Sequence, residues 1–220
     1  MAKHIIIDLG HSKCDSGAVA NGFKEVDLNV SIGRYVGKEL SRHGVIVTYA
    51  EGSLSDRSNL DKRLKPHAFV SIHNNAGGGD GTEVYHFPSS IQGKKISNYI
   101  LAEIVSAGLN NSRGVKTANY HVLRETVSPS TLIECAFMDS ADIKAVDEEH
   151  ERKAFGTAIA KGVLKYLGLN YIPESTPVIS KVDKYYRVIV GSYKDRTNAE
   201  AQQKKLKEKG FDSFLEVYNK

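Results

Sequence analysis

The chain has 220 residues, 40% hydrophobic and 25% charged, which is normal for a soluble globular protein and leaves room for one ordinary domain plus a small appendage. No run approaches the ~20 apolar residues of a bilayer span. Two cysteines, Cys14 and Cys135, in no C-x-x-C spacing, exclude a disulfide framework and a thiolate zinc finger, and both are expected to be small buried thiols. The net charge of +4 is unevenly placed. From Lys181 onward there are ten basic and six acidic residues, whereas the first 180 residues hold 20 of each, so an anionic partner is expected for the tail. Met1-Ala2-Lys3-His4 runs straight into Ile5-Ile6-Ile7 without an apolar h-region or a cleavage site, which points to synthesis in the cytoplasm without a signal peptide.

Residues 3–9, rich in Ile, read as a strand buried on both faces. Over 25–43, Leu28, Ile32, Tyr35, Val36 and Leu40 fall on one helical stripe that Gly44 ends. A strand is expected over 45–49, then a short helix ending near Pro66, a strand over 68–73, a glycine-rich loop over 76–81 and a strand over 82–87. Ile96, Ile100 and Ile104 mark a helix over 90–109. Two short strands follow at 120–123 and 131–135. Residues 141–167 form a helix or helix pair stopped by Gly168. Such alternation predicts an α/β domain over 1–169, a single mostly parallel sheet flanked by helices on both faces. Pro173 and Pro177 among polar residues mark 170–184 as a linker. A strand (186–190), a helix (198–209) and a strand (213–217) then make a small C-terminal βαβ unit over 185–220.

Metal-assisted hydrolysis by zinc needs three N or O ligands, an open position and a nearby carboxylate. In α/β sheets such groups sit on loops at the carboxyl ends of strands. His11 lies two residues past the first strand, His73 closes the third, Glu134 is near the end of the last, and Glu25 starts the first long helix. Two imidazoles and two carboxylates from distant parts of the chain therefore converge on one sheet edge. Glu134 in particular, a carboxylate in an apolar strand, needs a partner or a task.

Gly10-His11, Gly17, Gly22, Glu25, Ser71-Ile72-His73-Asn74-Asn75-Ala76, Gly81-Thr82-Glu83-Val84, Val122-Leu123-Arg124 and Leu132-Ile133-Glu134-Cys135-Ala136-Phe137 together resemble the zinc-type N-acetylmuramoyl-L-alanine amidases called Amidase_3, which include autolysins and phage endolysins. The resemblance covers about residues 3–168. It implies hydrolysis of the bond between N-acetylmuramic acid and L-alanine in peptidoglycan, a zinc ion (Zn²⁺) held by His11, Glu25 and His73, and Glu134 as the catalytic carboxylate. It also implies supporting, substrate-binding roles for Asn74, Glu83 and Arg124, and action on the wall after lysis or holin-type release. Many members have Gly where this chain has Cys135; strand alternation turns that side chain away from Glu134, into the core. Cys14, near His11, is read as structural rather than as a ligand, and His86 and His121 as groove residues.

The tail, from Tyr185-Tyr186-Arg187 through Gly191-Ser192-Tyr193, Asn198-Ala199-Glu200 and Gly210-Phe211, resembles the first half of a SPOR domain, a peptidoglycan-binding family. That likeness implies wall contacts by Tyr186, Tyr193 and Phe211. A segment of this size cannot bury a self-sufficient core, so pairing of two tails into a homodimer is one expectation, and packing on the main domain or staying loosely ordered is the other. A zinc carboxypeptidase acting on wall peptides and a non-catalytic wall-binding protein are the rival readings. No nucleic-acid-binding motif is present, and nucleic acid is not an expected partner.

Overall fold

The computed structural model describes residues 2–12, 14–174 and 188–217. By contact the chain forms two units, Met1–Pro173 and Glu174–Lys220. The first is built on a six-stranded sheet in the order β4-β1-β5-β8-β6-β7. These strands are β1 (His4–Leu9), β4 (Ile46–Ala50), β5 (Ala68–Asn75), β6 (Thr82–His86), β7 (Ser112–Thr117) and β8 (Ser130–Phe137). β4, β1, β5 and β8 run parallel. β6 is antiparallel to β8, and β7 is parallel to β6. The expected mostly parallel sheet is present, extended by a reversed two-strand edge.

Strand alternation sends two sets of side chains to opposite faces. On one face Ile5, Ile7, Leu9, Val70, Ile72, Ile133 and Cys135 join the stripes of α1 (Glu25–Arg42), α3 (Ile91–Ser106) and α5 (Glu149–Leu167) in the main core. Leu28, Ile32, Val36 and Leu40 of α1 are among them, as are Ile96, Ile100 and Ile104 of α3. The other face is thinner: Ile6, Phe69 and Leu132 pack with Leu60 of α2 (Leu54–Leu64) and with Val122 and Leu123 of α4 (His121–Arg124). At its C-terminal end that second face leaves space for polar side chains.

Three local departures from the sequence expectation have physical causes. Residues 121–124 are helical where a strand over 120–123 was expected, because consecutive Val122 and Leu123 are both buried on one side, which a strand cannot arrange. β7 was absent from the expected elements because Ser-Arg-Gly-Val-Lys-Thr at a sheet edge has no apolar alternation. Also absent was a hairpin of β2 (Val19–Ala20) and β3 (Phe23–Lys24) whose turn is Asn21-Gly22, both at positive φ. Asn-Gly is the dipeptide such a tight turn demands.

In the second unit the expected helix is present as α6 (Arg196–Glu208), opened by the Asp195 side chain, which accepts from Thr197 N at 3.0 Å. No residue of α6 is buried. Among the described residues, 188–190 and 213–217 form no strand, contrary to the expected βαβ unit. Their backbone finds no ladder partner, and Val188, Ile189 and Val217 are exposed. Residues 186 and 187, and the linker from residue 175 on, lie outside the described residues.

Candidate active site

The three groups expected to meet at the sheet edge do meet. His11 follows β1, Glu25 opens α1 immediately after the β2–β3 hairpin, and His73 stands on β5. His73 Nδ1 lies 2.9 Å from Glu25 Oε1 and His11 Nε2 lies 2.9 Å from Glu25 Oε2. One ligating atom from each of the three falls within 4.8 Å of the others, and no other such group is present among the described residues. Two imidazoles and a carboxylate are a donor set suited to a catalytic zinc site. The space around them is kept by glycine. A Cβ on Gly10 would come within 2.5 Å of His73 Nε2, and one on Gly17 within 2.5 Å of Glu25 Oε2.

Neighbouring groups hold these three side chains in place. Asp15 Oδ2 lies 2.9 Å from His11 Nδ1; an ionised carboxylate can only accept, so this contact favours a proton on Nδ1, the tautomer that would offer Nε2 to a metal. That hydrogen bond is the main reason the Asp15 carboxyl lies below its ordinary range. Burial opposes the charge on Glu25, but His73 and Ala18 N outweigh it and its carboxyl is also lowered. His11 itself sits at φ 65°, a conformation few non-glycine residues adopt. Buried Arg57, from α2, holds that turn, donating to His11 O, to Asp8 and, at 2.8 Å, to Leu9 O. Ser71 Oγ completes the Asp8 carboxylate at 2.6 Å. Neither Asp8 nor Arg57 was picked out from sequence; a charged residue in the Ile-rich first strand was the available signal.

Glu134 lies beside His73 in the β5–β8 register and opposite Glu83 in the β8–β6 register. Its Oε2 is buried with no hydrogen-bond partner. Burial, together with the charges of Glu25 and Glu83, outweighs the pull of His73 and lifts the carboxyl from 4.5 to about 7. Glu83 differs in its partners. It is buried too, yet Arg113 Nε (2.5 Å), Lys116 Nζ (2.6 Å) and the Tyr85 hydroxyl all donate to it. Those donors overcome its desolvation and bring it down to about 2.

A family model for N-acetylmuramoyl-L-alanine amidase (Amidase_3) matches residues 5–165. The chain belongs to this amidase family. Its relatives include the sporulation-specific N-acetylmuramoyl-L-alanine amidase of Bacillus subtilis, 32% identical over 96% of this chain and 83% of that protein. The endolysin of Bacillus phage SPP1 is 36% identical over 66% of this chain and 59% of its own length. Among solved structures, the catalytic domain of CwlV, the amidase of Bacillus (Paenibacillus) polymyxa var. colistinus, superposes with a TM-score of 0.72 at 29% identity, covering 76% of this chain and 99% of that one. AmiC2 of Nostoc punctiforme gives 0.71 at 30% identity over 76% and 97%. A SPOR model matches residues 157–215, a span that also takes in the end of α5.

The remaining site residues expected from sequence are spread around this cluster. Asn74 is buried on the far side of β5 from His73; its amide donates to Asn29 Oδ1 at 2.9 Å and its backbone N–H to Glu25 Oε1 at 3.2 Å. That places it under Glu25. Arg124 ends α4 and binds Glu125 and Asn119. Cys135 is buried in the main core, as strand alternation required. Cys14, by contrast, is exposed, which corrects the expectation of a buried thiol. His86 is buried, bonded to Phe87 O, and His121 faces Ser58 Oγ at 3.3 Å. In the second unit Tyr193 and Phe211 are exposed, and Tyr186 lies outside the described residues.

Proposed function

We propose that this amidase hydrolyses the amide between N-acetylmuramic acid and L-alanine in peptidoglycan with a zinc ion held by His11, Glu25 and His73 and with Glu134 as proton carrier. The observation that supports it is the convergence of those three donors beside a buried carboxylate oxygen that has no partner of its own. Zinc in such a site lowers the pKa of water and polarises a carbonyl. Asp15 keeps the His11 lone pair directed inward, and Arg57 keeps the turn that carries it. Glu134, whose buried Oε2 has no partner of its own, is placed to accept a proton from the attacking water and to return it to the departing alanine nitrogen.

The C-terminal unit we assign to retention on the wall, in keeping with the SPOR match, with Tyr186, Tyr193 and Phe211 as candidate sugar contacts. Its exposed Val188, Ile189 and Val217 are residues a second copy would cover in a tail-to-tail homodimer. Sedimentation of the full chain at rising concentration tests this, and a monomer throughout would refute it. The site of action is the cell wall, and no helix among the described residues is long and apolar enough to cross a membrane. For release of the enzyme we propose lysis or a holin-type route. Digestion of purified wall, followed by end-group labelling, tests the activity. A new alanine amine is expected; a new carboxyl terminus within the peptide would mark a carboxypeptidase instead.

A further inference from the structure

Arg113 and Lys116 reach from the edge strand β7 to a single oxygen, Glu83 Oε1. One cation and the Tyr85 hydroxyl would already satisfy that buried carboxylate, so the second cation is surplus to it. Donors are also in surplus. Arg113 offers five N–H groups and Lys116 three, while Glu83 takes one from each and Asp80 O takes a long 3.4 Å bond from Arg113. The nearest further acid, Asp80, accepts from Asn111 at 3.0 Å. Exposure separates the roles: the Glu83 side chain is 4% exposed and each cation 40%. Glu83 is the floor of the cluster and the two cations are its rim.

The rim lies at a definite distance from the chemistry. Glu83 and Glu134 are directly opposed, so their Cα atoms are about 5 Å apart, and β7 lies about 4.8 Å beyond β6. The cations therefore stand ~10 Å from Glu134 along the sheet, with their heads leaning back toward it. An extended peptide advances ~3.5 Å per residue. If its first nitrogen is at Glu134, the residue after alanine comes within reach of Arg113 and Lys116. In peptidoglycan that residue is a glutamate joined through its side chain, which leaves its α-carboxyl free in some walls and amidated in others.

We propose that Arg113 and Lys116 form a carboxylate subsite that receives the free α-carboxyl of the second stem-peptide residue and so favours walls in which it is not amidated. This rests on the amidase reading of the site. Glu83, expected from sequence to touch substrate, instead acts as a positioning residue that sets the two cations side by side.

The test is binding of two ligands that differ only at this group, N-acetylmuramoyl-L-Ala-D-Glu and N-acetylmuramoyl-L-Ala-D-isoglutamine, to the full-length Glu134→Gln protein by calorimetry. The acid is expected to bind about 10-fold more tightly than the amide, the low end for hydrogen bonds to a charged group. Arg113→Gln and Lys116→Gln, each added singly to that background, should remove most of the preference by weakening the acid far more than the amide. Each leaves Glu83 one cation, and the amide serves as the control for folding. Equal binding of acid and amide, or an equal loss of both in the variants, would overturn the subsite and leave the cations a purely structural role. Wall digestion by the native chain is scored separately: no released alanine amine would sink the amidase reading whatever the ligand preference.

Discussion

Glu134 and Glu83 are the same residue type on adjacent strands, directly opposed and both shielded from water, and they have been given opposite surroundings. Glu134 has an oxygen without a partner and a carboxyl lifted to about 7; Glu83 has two cations and a phenol and a carboxyl near 2. Burial acts in the same direction on both. The supply of donors decides the outcome, so a carboxylate's role here follows from what the neighbouring strand offers it. β5 and β8 offer Glu134 only an imidazole, His73, which is expected to be engaged elsewhere; β7 offers Glu83 more than it needs.

The comparison can be broken at several points. His73→Ala should have the largest effect: with one of the three proposed ligands gone, bound metal and wall digestion should both be lost, read by elemental analysis and turbidity. Arg57→Gln should come next, because it leaves the buried Asp8 carboxylate without its cation, a loss of about 3–5 kcal/mol in the folding equilibrium. Chemical denaturation reads this, and a stability within ~1 kcal/mol of native would contradict the buried pair. Glu83→Gln should act more gently. Removing its charge takes away one of the influences that raise Glu134, so the acid limb of the pH–rate profile should move to lower pH.

The smallest effect concerns stability against pH in the metal-free protein. Glu83 is lowered, so its contribution is present above its ordinary 4.5 and lost as pH falls toward about 2. Glu134 is raised, so its contribution is present below 4.5 and lost as pH rises through about 7. Glu83→Gln should flatten the acid side of the melting-temperature profile and Glu134→Gln the neutral side. A profile in which both variants change the same side would mean the two carboxylates are not set apart as described.

Much of this was legible in the chain. The stripes of α1 and α3 and the Ile-rich β1 declared themselves by period, because each buries a face against the sheet. His11, Glu25, His73 and Glu134 were legible because each sits at the loop end of a strand or at the start of a helix. What escaped was the reversed edge: Arg113 and Lys116 belong to a polar strand with no burial pattern, and only the fold brings them to Glu83. Arg57 escaped because a helix Arg is ordinarily solvated, and nothing local says that it reaches Asp8 and the His11 turn. Among the described tail residues, 188–190 and 213–217 form no strand, since a short apolar segment does not by itself supply the partner a strand requires.

The most direct test of the central claim is a paired digestion of purified cell wall by native protein and Glu134→Gln, with bound metal and new alanine amines measured on the same samples. Native protein should carry metal and release alanine amines, and the variant should carry the same metal with a rate at least ~10²-fold lower. A variant that digests wall at the native rate, or a native digest with no new alanine amine, would contradict the account.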